Sequence, residues 1–399
     1  MRREEYYLTT APVFATYLGV ASGNEALKFA SINTAELNEA ESRRLFVASL
    51  MPTPSSYFIE DKEEAVRLFG YALAQEEAGV DRNVLVHSFL ESMKAVATAR
   101  AEARAKTYES ITSALGALFL TPLFLLFIWA IGVMSIDPAL LYAILLATVA
   151  GIGAVAYVNM PRDLNLWRTY EWSLPIGLFG GVAMALLGRP LEAFAVFGVV
   201  TWAWLYAKDR LWWFSIAREV PPMLRSAAAM LKEGAPPDVI LGRLVGKYKT
   251  AMKAAYGYFI PSKYFVLAKS MFRAITEAGG ATAVKAVEYI QSLVDIEAHA
   301  VRKMVKMSMA VFALFIAAVF ILAHSVSTAV KALEDAQAVN PFFSPPPYEE
   351  VRSVVSTMLA LVTASFITVF LMPMGLHKSA ALGGAAGASL QYALLAFLL

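Results

Sequence analysis

The stretch SMAVFALFIAAVFILAHSVSTAV, residues 308–330, contains no Asp, Glu, Lys or Arg and follows the basic cluster Arg302, Lys303 and Lys306. About 20 apolar residues in a helix cross roughly 30 Å of hydrocarbon, so the run reads as a membrane span entered from a basic flank. Upstream, Val287, Ile290, Val294 and Val301 fall on one helical stripe, which extends the helix back to about Ala281. Such a helix is roughly 50 residues, or about 75 Å at about 1.5 Å per residue. Working outward, similar apolar runs occupy Leu115–Met134, Ala139–Val158, Leu174–Ala207, Val354–Met374 and Ala380–Leu398. Gly188-Arg189-Pro190 divides the third of these, because proline cannot continue the preceding helix. The expected fold class is therefore an all-α polytopic membrane protein, with about seven transmembrane helices and two cytoplasmic helical-bundle domains. The expected domains are 1–110 and 208–307 for the bundles, with spans 1–4 in 111–207 and spans 5–7 in 308–399.

Composition points the same way. Apolar residues make up 58% of the 399, above the 45–50% or so of an ordinary globule. Charge is concentrated in two blocks: residues 1–110 hold 12 Lys/Arg and 16 Asp/Glu, and residues 208–307 hold 16 and 8. The net charge of +2 thus conceals an acidic first block and a basic second one, an asymmetry expected where blocks meet each other or distinct protein surfaces. Cysteine is absent, which removes disulfides and thiolate chemistry. No cleavable signal precedes the first apolar run. Basic flanks such as Arg104, Lys106, Arg162, Lys208 and Lys378 place both blocks inside by the positive-inside rule. The expected location is the cell membrane, with the N-terminus cytoplasmic and the C-terminus outside.

Within the first block, Pro12–Ala30 and Glu36–Leu50 are apolar-periodic. Asp61 with Glu64 resembles a capping box, a helix runs to about Ala78, and another begins near Arg82. Val86, Leu90, Met93 and Ala97 share one face of that last helix. In the second block, Glu219–Glu233 ends at Gly234, Pro236-Pro237-Asp238 starts another helix, Pro261 separates a third, and Gly279-Gly280 closes it. Glu77-Ala78-Gly79 and Glu277-Ala278-Gly279 recur 200 residues apart, a sign of internal duplication.

Few residues suggest chemistry. Gly242-Arg243-Leu244-Val245-Gly246-Lys247 has three residues between its glycines where a phosphate loop needs four, and Tyr248 stands where Ser or Thr would contact magnesium. His87, His299, His324 and His377 lack metal-ligand spacing. His324 falls inside an expected span, where bonding to a neighbouring helix or to interfacial water is expected. Glu192 pairs most simply with Arg189. The glycine pairs Gly177/Gly181 and Gly383/Gly387 have the four-residue spacing that lets helices approach closely, within one chain or at a dimer seam. Scarce intramembrane charge argues against a carrier and against intramembrane hydrolysis. No catalytic residue, cofactor or metal is expected. Lys247, Lys249, Lys253, Lys263, Lys269 and Arg273 form the densest basic run, interleaved with Tyr248, Tyr256, Tyr258, Tyr264 and Phe265. Taken alone, such a run suits acidic lipid, nucleic acid or an acidic protein face.

The order of helices and breaks resembles a known family. Val220-Pro221-Pro222-Met223-Leu224-Arg225, Met230-Leu231-Lys232-Glu233-Gly234-Ala235, Ala274-Ile275-Thr276-Glu277-Ala278-Gly279-Gly280 and Pro12-Val13-Phe14-Ala15-Thr16-Tyr17-Leu18 are similar to the helix punctuation of the membrane platform proteins of archaeal type IV pili and archaella. Those proteins belong to the type II secretion F family. The first block departs from the pattern at Ala21-Ser22-Gly23, and Gly79 lacks a paired glycine. The resemblance implies a non-enzymatic assembly platform in the bilayer, coupling a cytoplasmic hexameric ATPase to insertion of pilin subunits. The basic run would dock on that ATPase or on the acidic first block, and no nucleic-acid partner is implied. A polytopic transporter and a membrane scaffold unrelated to filaments are the competing expectations.

Overall fold

The computed structural model describes residues 3–130 and 214–337, except 259, 261 and 279, with isolated positions in 137–147 and 347–355. The described elements are helical. In the first block they are α1 (Arg3–Leu18), α2 (Gly23–Thr34), α3 (Glu39–Ala48), α4 (Ser56–Ile59), α5 (Glu64–Glu77) and α6 (Arg82–Ala130). In the second they are α7 (Phe214–Lys232), α8 (Pro237–Lys247), α9 (Lys249–Ala255), α10 (Lys263–Arg273), a π-helical turn (Ala274–Ala278) and α11 (Gly280–Gln337).

Local chemistry explains the boundaries. The helix read across Pro12–Ala30 is in fact two. Ser22 accepts from the Glu25 amide while the Glu25 carboxylate accepts from the Ser22 amide, so a capping box restarts the chain as α2. Asp61 does not cap α5, which has no side-chain cap. Its carboxylate instead binds the guanidinium groups of Arg3 and Arg44, and Arg44 also lies over the Tyr57 and Phe58 rings. Helix α5 ends at Gly79, whose φ of +79° suits glycine, with Val80 N donating to Gln75 O. Gly234 ends α7 in the same way, at φ +74°. Gly70 lies where α5 crosses α4, and a Cβ there would sit 2.8 Å from Ile59 N.

Contacts divide the chain into two compact units. The first is built from Met1–Ala103 and Lys208–Ala300, so the acidic and basic blocks share it; the second takes α6 from Arg104 and α11 from Val301. At the centre of the first unit lies α1, buried on every side from Glu5 to Leu18. A helix enclosed all round must be apolar all round, as Tyr6, Tyr7, Leu8, Val13, Phe14 and Leu18 make it. On one side it packs against α2 and α5, and on the other against α10 and the π-helical turn. The Phe69 ring of α5 lies 5.1 Å from Tyr7, 4.6 Å from Phe14 and 5.2 Å from Phe89 of α6. The apolar stripes of α6 and α11 face this core: Val86, Leu90, Met93, Ala97, Val287, Ile290 and Val294 are all buried.

Pro12 sits inside α1 and has no N–H to give the Leu8 carbonyl, four residues earlier. That carbonyl accepts instead from the Tyr289 hydroxyl of α11 at 3.0 Å. Tyr289 is buried, and burial pushes its phenol well above the usual range, so it remains a donor. Tyr289→Phe is therefore expected to leave a buried carbonyl unsatisfied at a cost of about 1–3 kcal/mol. Urea unfolding of the two proteins measures it, and an unchanged midpoint would remove this bond from the account.

The seven-span expectation is corrected. The fold is all-α, but among the described residues no helix is long and apolar enough to cross a membrane. Of the expected spans, 308–330 and most of 115–134 fall in α11 and α6, while those at 139–158, 174–207, 354–374 and 380–398 lie outside the described residues but for isolated positions, and Gly177, Gly181, Gly383 and Gly387 lie wholly outside them. Apolar excess alone does not specify a span, because apolar side chains have two destinations. A helix enclosed by a bundle, such as α1, demands the same residues as one facing lipid.

Candidate functional site

The six cations of the basic run go to different places. Lys263, the first residue of α10, is almost wholly buried, and its ammonium is 3.5 Å from the Glu5 carboxylate of α1 and bonded to Glu297 of α11. Lys269, two turns further along α10, meets Glu36 of the α2–α3 connection at 2.6 Å. Burial pushes the Glu36 carboxyl up, opposed by Lys269 and the Ile260 amide. A charge desolvated this way weighs against the fold once ionised, and its partners offset that cost. Arg273 pairs with Glu277 one turn on, close to Tyr17, whose phenol burial and Glu277 push up to about 12. These three cations are thus consumed internally, two of them by the acidic block.

Lys247, Lys249 and Lys253 are placed otherwise. Helix α9 begins where the Thr250 amide donates to the Glu219 carboxylate at 2.8 Å, which substitutes for a cap. Lys249, Met252, Lys253 and Tyr256 follow at positions i, i+3, i+4 and i+7, one face of a helix. Lys249 and Met252 are exposed, Lys253 is half-buried, and Tyr256 is 76% exposed. Burial pushes the Lys253 ammonium down, with Lys249 adding to the effect and Glu219 opposing it. Gly257, at φ +71°, turns the chain ahead of Tyr258, which is exposed as well. Lys247, exposed at the end of α8, lies 5.4 Å from the centre of the Tyr248 ring, which is itself buried. The result is a short α8–α9 segment along which exposed lysines and uncovered aromatic rings are interspersed.

Gly242 and Gly246 lie inside α8, so that motif forms no phosphate loop. His87, His299 and His324 are exposed. Among the described residues no group of three or more His, Asp or Glu is placed to hold a metal ion. What sequence reasoning missed is the split within the basic run. The only signal for it was periodicity: Lys263 and Lys269 belong to a helix with buried Phe265, Val266, Leu267 and Met271 around them.

The platform reading is also corrected. It rested on the positions of prolines and glycines at helix ends, which any multi-helix bundle needs, and among the described residues no spanning helix supports it. The assembly-platform function, the transporter and membrane-scaffold alternatives, and the cell-membrane location fall with it. No family model, curated protein or solved structure matches the chain.

Proposed function

We propose that the first unit is a protein-binding module without catalytic chemistry, whose α8–α9 face takes an acidic protein surface. One observation carries the reading. The first block neutralises Lys263 and Lys269 but leaves Lys247 and Lys249 exposed beside Met252, Tyr256 and Tyr258. Tyrosine and methionine at an exposed face are what protein interfaces concentrate at their centres, because ring burial supplies area at low entropy cost, and the lysines suit the polar rim around them. Charge complementarity then selects an acidic partner and speeds encounter. Lysine ammoniums on short helical spacing serve an irregular acidic surface better than a planar bidentate site, which arginine would supply.

The test uses a fluorescein-labelled peptide of alternating Glu and Leu as probe, titrated with the full chain and followed by anisotropy. Lys247→Glu/Lys249→Glu is expected to weaken binding by at least about tenfold, and added salt to weaken the native complex. Tyr256→Ser is expected to weaken it with little change in salt dependence. Equal affinity in the charge-reversed protein would overturn the reading, as would duplex DNA binding as tightly as the peptide.

A further inference from the structure

A groove of about 390 Å³ opens in the first unit between α6, α11 and the end of α7. Its volume lies in the range of about 300–1,000 Å³ that small-molecule sites occupy. Three helices send lysines into it: Lys94 from α6, Lys232 from the last turn of α7, and Lys285 from the second turn of α11, with His87 of α6 also in the lining. Two carboxylates oppose them. Glu288 lies 2.9 Å from Lys232, and Glu91 lies 3.9 Å from Lys94. Lys285 has no carboxylate within ion-pair distance among the described residues. Leu90 and Tyr289 close the floor, and the tyrosine hydroxyl is turned inward to the Leu8 carbonyl.

This balance leaves more positive than negative charge facing one concavity. Both existing pairs are weak holds. Lys232 and Glu288 are well exposed, and the Lys94 pair spans a single helical turn at the limit of contact. Exposed pairs of this kind are held weakly against water, so an incoming anion of higher charge can take their ammoniums. Ammonium groups act as point charges with three rotatable donors, which suits the many acceptor oxygens of phosphoryl groups approached from several directions. A single carboxylate could not reach cations carried by three helices. We propose that this groove binds a small phosphorylated anion, with a diphosphate group held among Lys94, Lys232 and Lys285. The site is separate from the α8–α9 face and does not depend on that face binding protein.

Calorimetric titration of the full chain with inorganic pyrophosphate tests it. Saturable one-site binding is expected, weakened at least about tenfold in Lys285→Glu and in Lys232→Glu. Glu288→Gln removes the competing carboxylate and is expected to tighten binding several-fold, a gain that misfolding could not produce. Lys247→Glu/Lys249→Glu should bind pyrophosphate as the native protein does, which separates this site from the docking face. Absence of saturable binding, unchanged affinity in Lys285→Glu, or citrate binding as tightly as pyrophosphate would overturn the proposal.

Discussion

Lys263→Ala is expected to destabilise the first unit by about 3–5 kcal/mol, the usual consequence of removing one member of a buried ion pair. The ammonium is almost fully enclosed and faces Glu5 of α1 and Glu297 of α11. Glu5 is itself buried, so the truncation takes a counter-charge from an enclosed carboxylate and opens space beside α1. The paired replacement Glu5→Gln/Lys263→Met is expected to cost less, because it removes the two enclosed charges together, keeps the volume and leaves only Glu297, the more exposed member of the cluster. Urea unfolding, read by hydrogen exchange at the α1 amides, distinguishes the two. A single-variant loss under about 1 kcal/mol, or a double variant no better than the single, would refute the counter-charge account. The prediction tests the fold at the joint between the blocks, since α1 belongs to one and α10 to the other.

The second large effect is Phe69→Ala, expected to cost about 3–5 kcal/mol. Phe69 is fully buried, and its ring stands among Tyr7, Phe14 and Phe89. Four rings from α1, α5 and α6 meet at this point, in mostly edge-on geometry that adds to area burial. The rigid helices around the ring cannot collapse into the space it would leave, so the cavity term stays large. Phe69→Leu should recover most of the loss by refilling the volume. A midpoint shift equal for Ala and Leu would instead point to a specific ring interaction.

Both predictions concern the interior of a unit whose parts are far apart in the chain, and that distance governs how much could be read in advance. Helix punctuation was legible. Gly79, Gly234, Pro236-Pro237 and the start near Arg82 mark real helix ends, because capping and proline effects act within a few residues. So were the buried stripes of α6 and α11, since helical periodicity is local too. The break at Gly19–Ser22 and the true partners of Asp61 were missed. Ser22–Glu25 is a short-range signal overlooked in favour of a longer apolar period, whereas Asp61 is claimed by Arg3, 58 residues away.

The candidate site was half legible. Composition located the basic run and suggested that opposite charges meet, yet apart from the apolar periodicity around α10 no local pattern distinguishes Lys263 from Lys249. Pairing Lys263 with Glu5 and Lys269 with Glu36 joins residues 258 and 233 apart. Only packing of α10 against α1 determines which lysines lose water and which stay exposed.

By itself the amino-acid order determined that the chain is helical, where several helices begin and end, and that acidic and basic blocks are segregated. Where the apolar surface of α1 goes was decided by tertiary structure alone. Hydropathy measures the cost of facing water and is silent on whether lipid or a neighbouring helix relieves it. In α1 neighbouring helices relieve it on every side, and a hydroxyl from α11 completes the one backbone bond that Pro12 removed.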